Sequence, residues 1–394
     1  MTPPEARTPL LSRRGALAAL GVGVLTVGGG GLLEGCGGSS SSTPEPQGTR
    51  PQERTIWTSI DTQADSRDRI FSLSKEAIQR RVADIADANA THIGIGTPYS
   101  SSDRAMLEAA QTWIGTAREH GLNVIWRAAM PEWEGWFGAQ KQDKTPDYLS
   151  NTYPNEVYDF IKANPTLFEN GDMFDPCAEA ENELDVYTGD NKYLYRKFLA
   201  DVDKKARLAF HELGKDGVEV IHSMNGDVPG LLGYDSRDGM NVVTDVLQNR
   251  LYFDWSPYNY QVNPPPYDLS ALIDGVHHWQ QVYPGAQVHL TETGITLSDI
   301  AQQAGNNTSQ ILAVQQGRVK ELLHALHEAD VRGVQYYSLD NKDSSLESDG
   351  GIRYPSYAVV KDDFGVLKGK HQTSTTAYSS VKLSRRSLLT GSTV

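Results

Sequence analysis

AQVHLTETGIT, residues Ala286 to Thr296, is the stretch from which the rest of the chain is read. Gln287, His289 and Thr291 alternate with the apolar pair Val288 and Leu290, and β-branched residues are frequent, as in a buried strand. Glu292 stands where the apolar run stops, and Gly294 follows at once as a turn residue. A carboxylate at the C-terminal rim of a buried strand is where a barrel enzyme carries its chemistry. A lone Glu in a strand-to-helix loop is more often simply solvated, so the weight of the reading comes from the neighbouring units.

Seven other segments read as strands: 55–61, 91–97, 122–129, 171–179, 217–224, 250–258 and 332–339, with this one at 286–292. Between most of them runs a helical period. Ser74 caps Lys75 to Asn89, where Ile78, Val82 and Ile85 share a face, and Met106, Ala110, Trp113 and Ala117 do the same before Gly121. The longest helices are expected over Tyr193–Leu213 and Ile311–Ala329, a short one at 241–249, and one bracketed by Pro154 and Pro165 after strand three. Alternating strands and helices imply parallel strands with right-handed crossovers. Eight such units between residues 55 and 370 predict an α/β fold, a single (β/α)8 TIM-barrel domain. No GxGxxG follows the first strand and no GxxxxGK[ST] occurs, which counts against a nucleotide-binding sheet.

Charge narrows the partners. A net charge of −14 with no Lys/Arg patch beyond the extreme N-terminus argues against nucleic acid. Only Cys36 and Cys177 occur, so neither a disulfide framework nor a zinc spacing is present, and no metal or cofactor is expected. Residues 1–35 read as a signal peptide, with a twin arginine at Arg13-Arg14 and an apolar, Gly-rich run from Ala16 to Leu33. Leu33-Glu34-Gly35-Cys36 resembles the lipobox of bacterial lipoproteins, which implies export and a lipid on Cys36; a plain secretory signal cut nearby is the alternative. Residues 36–54, rich in Gly, Ser and Pro, form a tether, and the polar residues 371–394 a loose tail. The protein is expected at the cell membrane or outside it, as a monomer.

The strand ends carry a consistent set of groups. In order they are Asp61; Pro98 and Tyr99; Arg127, then Glu132, Trp133, Glu134 and Trp136; and Asp175-Pro-Cys-Ala-Glu179-Ala-Glu181-Asn182-Glu183. His222 with Asn225, Asp254 with Trp255 and Tyr258, Glu292, and Tyr336 with Tyr337 complete the rim. Aromatic faces stack on sugar rings while carboxylates and amides bond hydroxyls, so this rim suits a polysaccharide or oligosaccharide. Asp61, Tyr99, Arg127, Trp133, Trp136, Asn182, His222, Asn225, Trp255, Tyr258 and Tyr337 are the candidate sugar-contacting residues. His222 is equally readable as a core histidine, Tyr258 as a packed rim aromatic, and Cys177 as a small buried residue.

With Glu ending both strand four and strand seven, and VHLTETGIT at 288–296, the chain resembles the retaining glycoside hydrolases of clan A. Asp363-Phe-Gly-Val-Leu367 resembles the turn that closes those domains, so the likeness covers residues 55–370 at the level of short motifs. The resemblance implies double displacement, with Glu292 as nucleophile and a strand-four carboxylic acid as acid/base. It also implies a role for Tyr258 in hydrogen-bonding the nucleophile. The acid/base is left open. Asn before Glu is the usual order and only Asn182-Glu183 has it, yet period two puts Asp175, Cys177, Glu179 and Glu181 on one face and Glu183 off it. Pro176-Cys-Ala-Glu179 resembles a Pro-x-x-Glu variant, so Glu179 comes first, Glu181 second and Glu183 third; Arg127 is a competing partner for any of them. Without the Asn-Glu order on that strand, a non-catalytic carbohydrate-binding lipoprotein remains the rival reading.

Overall fold

The computed structural model describes residues 57–62, 70–98, 103–128, 148–181, 190–233, 239–258, 266–295, 300, 308–336, 359–362 and 364. The expected leader, tether and tail lie outside the described residues. Nine parallel strands run in the order β5-β4-β3-β2-β1-β9-β8-β7-β6. They are β1 Trp57–Asp61, β2 His92–Gly96, β3 Asn123–Arg127, β4 Met173–Asp175, β5 Glu219–Val220, β6 Ser223–Met224, β7 Arg250–Asp254, β8 Gln287–Thr293 and β9 Gly333–Tyr336. β5 and β6 are two ends of one extended run: Val220 pairs with β4 and Ser223 with β7, with two residues between them. The ring therefore closes through strand five, and nine short strands amount to the eight staves of a (β/α)8 barrel.

Two apolar layers follow from the strand period. Trp57, Ile125, Met173, Ile221 and Tyr252 form a small cluster inside the ring. Their neighbours Ile93, Val124, Phe174, Leu251, Val288 and Leu290 belong to the larger cluster between strands and helices. Inside, the His289 ring stacks between Trp57 and Tyr252, with centroids at 5.7 and 4.6 Å. A Cβ on Gly333 would lie 2.1 Å from the Trp57 indole, so only glycine lets that ring lie across β9.

The helices dock where their apolar stripes demand. α1 (Lys75–Asp87) starts with Ser74 Oγ accepting from the Ala77 N–H at 3.2 Å, and buries Ile78, Val82 and Ile85. α2 (Arg104–Glu119) is capped by Asp103, and Gly121 ends its loop at φ +72°. α3 (Tyr153–Ala163) takes Pro154 into its first turn, where no backbone N–H is missed. α4 (Asn191–Glu212), the short α5 (Val228–Leu232) and α6 (Val242–Asp245), α7 (Leu269–Val282) and α8 (Thr308–Glu328) complete the described layer. Among the described residues no helix is long and apolar enough to cross a membrane.

Strand four corrects the sequence reading. It was expected over 171–179, but the ladder stops at Asp175. Pro176 has no N–H to donate, and Glu179 sits at φ +50°, so the chain leaves the sheet in a tight turn. The period-two face drawn through Cys177, Glu179 and Glu181 therefore does not exist.

Candidate active site

β8 carries Glu292 inward by means of a bulge. Against β7, Phe253 pairs with Leu290 but Asp254 pairs with Glu292; against β9, Val334 pairs with Leu290 but Tyr336 with Thr293. One extra residue sits on β8. His289 points into the barrel, and strict alternation would turn Thr291 inward and Glu292 out. The bulge resets the count and places Glu292 beside the inward-facing Asp254.

Arg127 joins the two carboxylates. Its Nη2 donates to Asp254 Oδ2 at 2.7 Å and its Nη1 to Glu292 Oε2 at 3.1 Å. It reaches them because β3 puts Arg127 on the same face as Ile125, inside the ring. Glu179, Asp254 and Glu292 each offer an oxygen within 4.8 Å of the others'. The cation already among them is the guanidinium. Burial pushes the Asp254 carboxyl up to about 7, with the Glu292 and Asp175 charges adding to the rise and Arg127 opposing it.

The two leading acid/base candidates have different surroundings. Glu179 is buried at the turn after β4, its backbone N–H donating to the Ser223 carbonyl at 3.2 Å, with its carboxylate near Glu292. Glu181 is fully buried below: Oε1 accepts from the Asn225 N–H at 2.6 Å and Oε2 from the Tyr195 hydroxyl at 3.1 Å. Burial raises the Glu181 carboxyl to about 8. Asp175 accepts from Ser223 N–H at 3.1 Å, from the Ser223 hydroxyl, and from Cys177 N–H at 3.1 Å, tying β4 to β6. Asn225 contributes its backbone N–H to Glu181 from the end of β6, and Cys177 is buried.

Three proposed sugar contacts are placed elsewhere. His222, between the inward Ile221 and Ser223, points outward, and its Nε2 meets Asp203 Oδ1 of α4 at 3.1 Å. Trp255 follows Phe253 onto the outer face: its indole packs edge-on to Phe253 at 5.7 Å and against α7, where a Cβ on Gly275 would lie 1.8 Å from it. Tyr258 is buried, its hydroxyl accepting from Arg318 Nη1 of α8 at 2.6 Å. Asp61 closes β1. Tyr99, Trp133, Trp136, Asn182, Glu183, Tyr337 and Cys36 lie outside the described residues. The sequence places Asp254 and Asp175 at strand ends without giving them a role, and does not mark Tyr195. For Asp254 the available signal is its spacing of two from Tyr252.

A closed parallel barrel with an inward Arg between two acidic residues, and a third acid at the strand-four turn, defines a (β/α)8 protein with a charged mouth. Solved structures of glycoside hydrolase family 5 enzymes share this fold. The exo-β-1,4-mannosidase of Opitutaceae bacterium strain TAV5 matches over 80% of this chain with a TM-score of 0.56 at 13% identity, and this chain spans 60% of that one. A family 5 enzyme from Prevotella bryantii B14, solved with a xyloglucan tetradecasaccharide, matches over 79% of this chain and 97% of its own, with a TM-score of 0.55 at 9% identity. The endo-β-1,4-mannanase of Thermotoga petrophila matches over 80% and 77%, with a TM-score of 0.53 at 12% identity. Neither a protein-family model nor a curated protein sequence matches the chain.

Proposed function

We propose that the protein is a retaining β-glycoside hydrolase with Glu292 as nucleophile and Glu179 as acid/base. The observation that carries this reading is the approach of the Glu179 and Glu292 carboxylates to within 4.8 Å. Retaining enzymes need carboxyl groups about 5–5.5 Å apart, whereas inverting ones need about 6.5–9.5 Å to admit a water. Glu292 attacks the anomeric carbon while Glu179 gives its proton to the departing glycosidic oxygen. Glu179 then takes a proton from water, the water oxygen bonds to the anomeric carbon, and the Glu292 ester is released. Glu181 is the weaker candidate because both its oxygens are held by Tyr195 and Asn225 away from solvent. The named activities of the structural neighbours suggest β-1,4-mannan, xyloglucan and β-1,4-glucan as first substrates.

Glu292→Gln should lose turnover on the active polysaccharide by roughly 10⁴-fold or more while its thermal unfolding stays cooperative. Glu179→Gln should lose about 10²–10⁴-fold on polysaccharide, but far less in glycosyl-enzyme formation from a dinitrophenyl glycoside, whose leaving group needs no proton. A Glu292→Gln variant as active as wild type overturns the assignment. A carbohydrate-binding role without hydrolysis is favoured by Ala178, which stands where the usual order has Asn. Binding to one of the three glycans without release of reducing sugar would decide for it. We also propose export with a lipid on Cys36, supported by the lipobox-like run; labelled palmitate should enter the wild type and not Cys36→Ser.

A further inference from the structure

Asp254 has no part in the double displacement, yet it takes the shorter arm of Arg127. Its side chain is 1% exposed, and Oδ2 lies 2.7 Å from Nη2 while Glu292 keeps Nη1 at 3.1 Å. The two acids are register partners, and Trp255 N–H, next to Asp254, donates to the Glu292 carbonyl at 2.8 Å. We infer that Asp254 is a positioning residue for Glu292: by holding one arm of Arg127 it leaves the nucleophile a single, longer contact with the guanidinium. This inference rests on the reading of Glu292 as nucleophile.

The physical reason is competition for one cation. Guanidinium and carboxylate left alone close into a bidentate fork, the strongest pairing open to them. Glu292 held that way would be stabilised as an ion, turned towards the barrel floor, and slow to attack. The titratable and charged groups facing Asp254 are Arg127 from β3, Asp175 from β4, Glu179 and Glu181 after it, and Glu292 from β8. Burial, with the Glu292 and Asp175 charges beside it, raises the Asp254 carboxyl to about 7 against the pull of Arg127. Below that pH, Asp254 is neutral and loosens its grip, so Arg127 turns to Glu292 and attack slows; above it, the grip returns.

Asp254→Asn is nearly isosteric and mimics the neutral state at every pH. Titrating the side-chain carboxyl carbons of isotopically labelled wild type and Glu292→Gln by NMR reads the coupling without a substrate, the Asp254 signal being assigned from Asp254→Asn or Asp254→Glu. The Asp254 midpoint should lie near 7 and fall by about a pH unit in Glu292→Gln. On whichever of β-1,4-mannan, xyloglucan and β-1,4-glucan the wild type hydrolyses, Asp254→Asn should lower kcat about ten- to a hundredfold with KM nearly unchanged. It should also lose the rise in kcat near pH 7, and Asp254→Glu should retain that rise. An Asp254 midpoint unmoved by Glu292→Gln overturns the inference, whether or not the wild type hydrolyses any glycan. So does an Asp254→Asn variant that is slow but keeps the wild-type pH profile, since a wall residue would behave that way.

Discussion

Glu292 is legible as a residue but not as a direction. The sequence marks an acid at the end of a buried strand, yet the spacing from His289 turns it out of the barrel, and only the extra residue of the bulge turns it back. Alternation cannot foresee such an insertion, because a bulge costs no distinctive residue type. Glu179 carries the same lesson: its φ of +50° ends the strand reading while leaving the residue at the mouth. Glu181 shows what burial does to the neighbouring acid. Its carboxyl is raised from the ordinary 4.5 to about 8, so the folded state keeps a proton that the unfolded chain releases. The stability this proton confers is complete below about 4.5 and is lost as the pH rises through 8. Glu181→Gln should therefore gain on the wild type across that window, by on the order of 4 kcal/mol at its upper end. Denaturant unfolding of both proteins at pH 4.5 and 8.5 measures it, and an equal difference at both pH values would place the proton elsewhere.

At the scale of elements, the helices were legible because their signals are local. Ser74 and the stripe of Ile78, Val82 and Ile85 suffice for α1, and the cap forms as read. The contacts between a strand end and a helix were not legible, since a Trp at a rim suits a sugar and a helix equally. Trp255 goes to the helix because α7 offers Gly275 where the indole passes. This gives opposite expectations for two helical glycines. Gly115 of α2 has open space around its Cβ position, so Gly115→Ala should stabilise by about 0.5–1 kcal/mol through helix propensity alone. Gly275→Ala gains the same propensity but drives a methyl into the Trp255 ring, and should cost about 1–3 kcal/mol net. Measuring both alanine variants by thermal unfolding tests the placement of Trp255. A Gly275→Ala variant that gains stability like Gly115→Ala would mean the indole is free to face the mouth.

Over the whole molecule, eight alternating units implied a closed ring, and closure is what the pairing of strand five with both β4 and β7 delivers. What the units do not announce is how many titratable groups closure hides. His92 and His289 are buried, and burial holds them down at about 4 and about 3 against an ordinary 6.5. Both are neutral when folded, while the unfolded chain protonates them below 6.5, so their contribution is whole above 6.5 and is lost as the pH falls through 4 and 3. Glu181 and Asp254 work the other way, losing their contribution as the pH rises through about 7 to 8. A net charge of −14 adds self-repulsion on the alkaline side. The two slopes oppose each other between about 4.5 and 6.5 and act alone outside it, so the thermal midpoint should peak near pH 5–6. Replacing His289 by Gln should flatten the acid side of that curve without moving the alkaline side. A midpoint that climbs steadily from pH 4 to 9 would show that the interior acids stay ionised in the folded ring, and with them the crowding around Arg127 would lose its physical basis.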